Sequence, residues 1–110
     1  MLAKVRINSL LDCYESLLTK KQQEICTYYY REDLSLQEIA EIEEISRSAV
    51  YDSIRHCKSD LEHYESLLGM LENSTARSAL YEKMLQKTDD PGLKKLVHQC
   101  IKTEIGGQHE

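Results

Sequence analysis

The sequence predicts an all-α protein built around a helix-turn-helix, with a long fourth helix and additional C-terminal helices. Three observations carry this. Apolar residues recur at spacings of three and four, only one proline and four glycines interrupt 110 residues, and helix-start signals stand at Thr19, Ser35, Ser46 and Asp90. With 41% apolar and 30% charged residues, the chain is long enough for one compact domain and too short for a two-domain enzyme.

Residues 5–18 form the first helix, because Ile7, Leu10, Leu11, Tyr14, Leu17 and Leu18 fall on one stripe. Thr19 opens a second helix carrying Ile25, Cys26 and Tyr28-Tyr29-Tyr30 to a polar break at Arg31-Glu32-Asp33. Ser35-Leu36-Gln37-Glu38 has the S-x-x-E form, so Ser35 and Glu38 cap a short third helix that turns Ile39 and Ala40 inward. It stops at Glu43-Glu44-Ile45, and Ser46 caps the fourth helix.

In that helix Val50, Ile54, Cys57, Leu61, Tyr64 and Leu68 alternate steps of four and three. Such a seam wants a partner, which is either the first helix of the same chain or a second copy. Gly69 is the expected C-terminal cap. After Glu72-Asn73-Ser74 two further helices are expected, at residues 76–86 and 91–105. The second starts at Asp90-Pro91, carries a stripe of Leu93, Leu96, Val97, Cys100, Ile101 and Ile105, and ends at Gly106-Gly107 before a tail, Gln108-His109-Glu110. The expected organisation is a helix-turn-helix domain at residues 1–72, with residues 73–110 as a helical extension packed on it.

The strongest functional signal is residues 36–54: a two-turn helix with the small residue Ala40 at the crossing, a three-residue turn and a capped second helix. Ala40, Ile45, Val50 and Ile54 are expected to form the interior wedge. The candidates for base edges or phosphates are then Arg47, Ser48, Tyr51, Asp52 and Arg55, with Lys58 lower on the same side. Periodicity alone equally allows a merely solvated face.

Leu17-Leu18-Thr19, Lys21-Gln22-Gln23-Glu24, Tyr28-Tyr29-Tyr30, Leu34-Ser35-Leu36, Glu38-Ile39-Ala40 and Ser46-Arg47-Ser48-Ala49-Val50-Tyr51-Asp52 stand together as in the YlxM-like family of small bacterial helix-turn-helix proteins. The resemblance covers residues 3–72, is specific in residues 35–54, and extends to region four of bacterial sigma factors. It implies an all-helical fold, a DNA-binding-like motif and a regulatory or accessory role in the signal recognition particle pathway, with the particle's protein or its receptor as a partner. For the family, that pathway link comes from gene neighbourhood. The chain departs from the pattern at the turn, where Glu44 replaces the usual glycine and Glu43 the frequent leucine. A non-glycine residue in the left-handed region costs about 1 kcal/mol.

Charge limits what the motif can do. Fourteen Lys and Arg against nineteen Asp and Glu give a net charge of −5, which repels nucleic acid and anionic membranes except where basic residues cluster. From residue 31 to 45, Arg31 stands against Glu32, Asp33, Glu38, Glu41, Glu43 and Glu44, a local net of −5. From residue 46 to 58, Arg47, Arg55 and Lys58 stand against Asp52, a net of +2. The phosphate-neutralising part of affinity is therefore small.

Other features weigh less. The three consecutive tyrosines could stack bases, but in a chain without Phe or Trp two of the three rings are expected in the core. His56 and His63 are seven apart with no neighbouring ligands, and His98 and His109 are isolated, so no metal is expected. Cys13, Cys26, Cys57 and Cys100 form no C-x-x-C pair and are read as small buried hydrophobes. Lys94, Lys95 and Lys102 read as a solvated face.

No activated nucleophile, glycine-rich phosphate loop or paired acids stand out, so neither an enzyme nor a cofactor is expected. No apolar run approaches the ~20 residues of a membrane span, and Arg6, Asp12 and Glu15 break the N-terminal segment, so no membrane insertion and a cytoplasmic location are expected. The expectation is a homodimer that binds DNA or RNA through the helix-turn-helix. The alternative is a protein-interaction module that keeps the fold without DNA binding.

Overall fold

The structure is a computed structural model that describes residues 2–104. It divides into two compact units, Met1–Leu68 and Gly69–Glu110. Among the described residues it holds six α-helices and no strand: α1 (Leu2–Tyr14), α2 (Lys20–Cys26), α3 (Leu36–Glu43), α4 (Arg47–Leu68), α5 (Met70–Lys87) and α6 (Pro91–Thr103). No helix among them is long and apolar enough to cross a membrane. The expectations for Ile105, Gly106, Gly107 and the tail with His109 fall outside the described residues.

In the first unit α4 packs against α1, α2 and α3. Ile7, Leu10, Leu11 and Tyr14 of α1 are completely or almost completely buried, as their shared stripe requires. Leu17 leaves that stripe and is exposed, because the chain tightens after Tyr14 into a 3-10 turn, Glu15–Leu17, which changes the angle per residue. Thr19 caps α2 in a reciprocal capping box with Gln22: the Thr19 hydroxyl accepts from the Gln22 N–H at 3.2 Å and the Gln22 side chain accepts from the Thr19 N–H at 3.0 Å.

Beyond Cys26 the backbone widens into a π turn, Thr27–Arg31. It buries Tyr30 edge-on against Tyr29, with ring centroids 5.0 Å apart, and leaves Tyr28 and Tyr29 half-buried. Lys4 of α1 sits over the Tyr29 ring at 4.8 Å and ion-pairs with Asp33 at 2.7 Å. Arg31 reaches back to Asp12 at 3.0 Å and Glu15 at 2.5 Å.

The α4 seam is satisfied within the chain over most of its length. Val50, Ile54, Cys57 and Leu61 are buried in the first unit, Tyr64 is half-buried beside Tyr14, and only Leu68 is open. The cysteines do not all behave as buried hydrophobes. Cys26 and Cys57 are completely buried and joined sulfur to sulfur between α2 and α4, with Cα atoms 7.2 Å apart, whereas Cys13 is half-buried and Cys100 exposed. Thirty-one residues separate the joined pair, and only the packing of α2 on α4 brings them together.

The second unit is a hairpin of α5 and α6. Gly69 adopts the left-handed conformation with φ 61°, so α4 ends and α5 begins on either side of one residue. The expected break at Glu72-Asn73-Ser74 does not occur: α5 runs without interruption from Met70 to Lys87, and the helix boundary falls at Gly69. Asp90 caps α6 through the Gly92 N–H at 2.9 Å, with Pro91 at the first helical position. Of the expected α6 stripe only Val97 is buried and Ile101 half-buried; Leu93, Leu96 and Cys100 are exposed. Beside Val97 and Ile101 the hairpin carries a polar cluster on Glu104. Its carboxylate accepts from Ser74 Oγ at 2.9 Å, Arg77 Nε at 2.5 Å, Arg77 Nη2 at 3.0 Å and the Tyr81 hydroxyl at 3.0 Å.

Candidate nucleic-acid interface

The site is built from α3, the turn and the first three turns of α4. Ser35 and Glu38 form the capping box that the S-x-x-E pattern requires: the Ser35 hydroxyl accepts from the Glu38 N–H at 3.1 Å, and the Glu38 carboxylate from the Ser35 N–H at 2.9 Å. These bonds, the backbone one foremost, hold the Glu38 carboxyl below its ordinary range. Ile39 and Ala40 are buried, and the small Ala40 lets α3 lie close against α4.

Glu44 is the residue that reverses the chain. It takes the left-handed conformation, φ 56° and ψ 43°, and its N–H and that of Ile45 both return to the Ala40 carbonyl, the second at 3.1 Å. The turn forms as in a glycine-containing motif, with glutamate bearing the conformational cost. Ser46 then caps α4, its hydroxyl accepting from the Ala49 N–H at 3.1 Å and lying 3.2 Å from Ser48 Oγ.

The helical period converts this into a two-sided element. Val50 at 0% and Ile54 at 7% exposure anchor one side. Arg47, Ser48, Tyr51, Asp52, Arg55 and Lys58 are all exposed on the remainder, Tyr51 at 56%. The leading end of α4 is therefore open to a ligand. Ile45 departs from expectation: it is 38% exposed, because the turn carries it past the crossing and the wedge is made by Ile39, Ala40, Val50 and Ile54.

Electrostatics differ from the linear count. Glu43 is tied to Lys21 of α2 at 2.6 Å with its side chain almost buried, which raises the Lys21 pKa, and Asp33 is tied to Lys4. Two of the six acids that crowd the motif in sequence thus have cations from other helices beside them. On α4, Asp52 lies 3.5 Å from Arg55 at an exposed site, a weak pair that a phosphate can displace. His56 and His63 are exposed along α4, and no cluster of metal-binding side chains occurs among the described residues.

One feature was not legible from the motif. A groove of about 440 Å³ runs beside the exposed face of α4, lined by Tyr29, Tyr30 and Leu36 together with Tyr51, Arg55 and Lys58. The tyrosine run pointed to aromatic packing, but only the π turn places two of its rings beside α4.

Residues 1–103 match the sequence profile of the UPF0122 family, described as "Putative helix-turn-helix protein, YlxM / p13 like". Among similar curated proteins, a UPF0122 protein of Pediococcus pentosaceus is 49% identical over 79 residues, covering 72% of this chain and 70% of the relative. One from Shouchella clausii is 52% identical over 79 residues, covering 71% and 72%. One from Staphylococcus epidermidis is 44% identical over 91 residues, covering 83% of each.

Proposed function

Because the chain belongs to the UPF0122 family of YlxM / p13-like helix-turn-helix proteins, we propose that it acts by binding nucleic acid through the leading turns of α4, in a regulatory or accessory role in the signal recognition particle pathway. The observation that carries the binding reading is the division of α4. Val50 and Ile54 lock the helix into the fold, while Arg47, Ser48, Tyr51, Asp52, Arg55 and Lys58 face outward beyond the Ser46 cap. In this reading Arg47, Arg55 and Lys58 meet phosphates or base edges, Ser48 and Tyr51 add hydrogen bonds, and Asp52 is placed to accept from a base edge. The pathway role rests on the family resemblance alone, with the particle's protein or its receptor as the partner.

The test is fluorescence anisotropy with labelled mixed-sequence DNA and RNA. Arg47→Ala combined with Arg55→Ala abolishes binding while the helical circular-dichroism signal stays unchanged. Binding that survives the pair removes this surface from consideration. The homodimer has little of α4 left for an interface, since of its apolar side chains Leu67, Leu68 and Tyr51 are the ones with large exposure. Sedimentation at increasing concentration decides whether the chain self-associates.

A protein-interaction role is favoured by one specific observation: Glu41 and Glu44 are exposed on α3 and its turn beside the recognition helix. A basic protein partner would dock there. Retention of the particle's protein component with no nucleic-acid binding at about 50 mM salt supports that role over the first.

A further inference from the structure

We propose that the groove beside α4 is a seat for one unpaired nucleotide, with the base against its tyrosines and the phosphate at Arg55 and Lys58. This deepens the nucleic-acid reading and rests on it: it specifies single-stranded or looped nucleic acid as the ligand of that surface.

Three observations carry it. The first is composition. In a chain of net charge −5, none of the residues lining the groove is acidic, and two are cations. An anionic ligand therefore meets less repulsion here than the whole-chain charge suggests. The second is the aromatic content. Tyr29 and Tyr30 enter from the π turn and Tyr51 from α4, so three of the seven tyrosines in a protein without Phe or Trp line one cleft. Tyr51 keeps 56% of its surface exposed, which is costly for an aromatic ring with nothing to cover and useful for one that stacks. Tyr30 and Ile54, at 8% and 7% exposure, give the cleft a fixed apolar floor.

The third is shape. A cleft of about 440 Å³ falls in the range that encloses a small molecule or a single group of a larger one. A base inside a duplex hides both faces in the stack, so only an unpaired base can lay a face on a tyrosine ring. Arg55 is available for the phosphate because its partner Asp52 holds it only weakly, at 3.5 Å in solvent. An acidic peptide would satisfy Arg55 and Lys58 but would make no particular use of an aromatic lining whose most exposed ring is Tyr51.

The experiment titrates the full chain with a short single-stranded RNA, the same sequence as single-stranded DNA, and a mixed-sequence DNA duplex. It reads anisotropy of the labelled strand and quenching of tyrosine emission, which no tryptophan obscures. The single strands bind and quench tyrosine emission, and Tyr29→Leu and Tyr51→Leu each weaken single-strand binding about tenfold, in line with the loss of one stacked base. Tyr29→Leu leaves duplex binding unchanged, because Tyr29 lies outside α4. Because Tyr51 also carries a hydrogen bond in the proposed α4 face, Tyr51→Phe is measured beside Tyr51→Leu: at this largely exposed position both keep the fold, and Phe, which retains the ring, keeps single-strand binding. Duplex binding without single-strand binding, single-strand binding indifferent to Tyr51→Leu, or an equal loss in Tyr51→Phe and Tyr51→Leu overturns the nucleotide seat and leaves the binding of nucleic acid through Arg47 and Arg55 standing. Failure of duplex and single strands alike overturns both, and preferential binding of an acidic peptide overturns the nucleotide seat.

Discussion

Glu44 holds the left-handed backbone of the turn at φ 56°, where the Cβ of an L-residue crowds its own carbonyl oxygen. Replacing it with glycine removes that crowding but gives the unfolded chain more freedom, so the two effects partly cancel. Glu44→Gly is expected to raise stability by about 0.5 kcal/mol in denaturant titration, and to lift nucleic-acid affinity by removing a negative charge one residue before Ile45 and the α4 cap. At the other end of the chain, Glu104 is held at about 2, first by its bond from Arg77, against the desolvation that opposes it, and then by Ser74 and Tyr81. Its ordinary value is 4.5, so folding favours the ionised form. The stability it contributes is complete above about pH 4.5 and is lost as the pH falls toward 2. Glu104→Gln removes the ionic acceptor, costs the α5–α6 hairpin about 1 to 2 kcal/mol, and flattens this acid dependence, measured by hydrogen exchange of the α5 and α6 amides.

Local signals in the chain made the elements legible where the relevant bond is local. Ser35, Ser46 and Asp90 cap helices through neighbours two or three residues away, and the sequence places those partners directly. The same holds for the first-helix stripe up to Tyr14 and for the α4 seam to Leu61. What escaped depends on geometry no spacing encodes. The 3-10 turn rotates Leu17 outward, the π turn brings Tyr29 and Tyr30 beside α4, and the hairpin of α5 and α6 adds a polar cluster on Glu104 to an apolar stripe of which only Val97 is fully buried. The candidate site was legible as a helix face, whereas the groove, the Lys21–Glu43 pair and the Cys26–Cys57 junction required the fold. Burial along α4 sets a graded prediction. Leu61→Ala, at a fully buried position, costs about 3 kcal/mol, while Leu68→Ala, more than half exposed, costs less than about 1 kcal/mol in thermal or denaturant unfolding. Ser35→Ala, which breaks the α3 capping box, costs about 1 kcal/mol by the same measurement.

For the whole molecule, the proposed nucleic-acid binding has to be reconciled with a net charge of −5. Part of the answer is that the fold redistributes charge: Lys21 and Lys4 stand beside Glu43 and Asp33, and Arg47, Arg55 and Lys58 are left outward on one helix. With only three cations on that face, the proposed binding is expected to be modest and shallow in its salt dependence, unlike that of a strongly basic DNA-binding protein. The most direct measurement is therefore the binding constant for mixed-sequence nucleic acid as salt is raised from about 50 mM. Three phosphate contacts give a log–log slope of about −2 to −3, and the slope and the binding both collapse in Arg47→Ala with Arg55→Ala. No detectable binding at the lowest salt, or a slope that this double substitution leaves intact, contradicts the account.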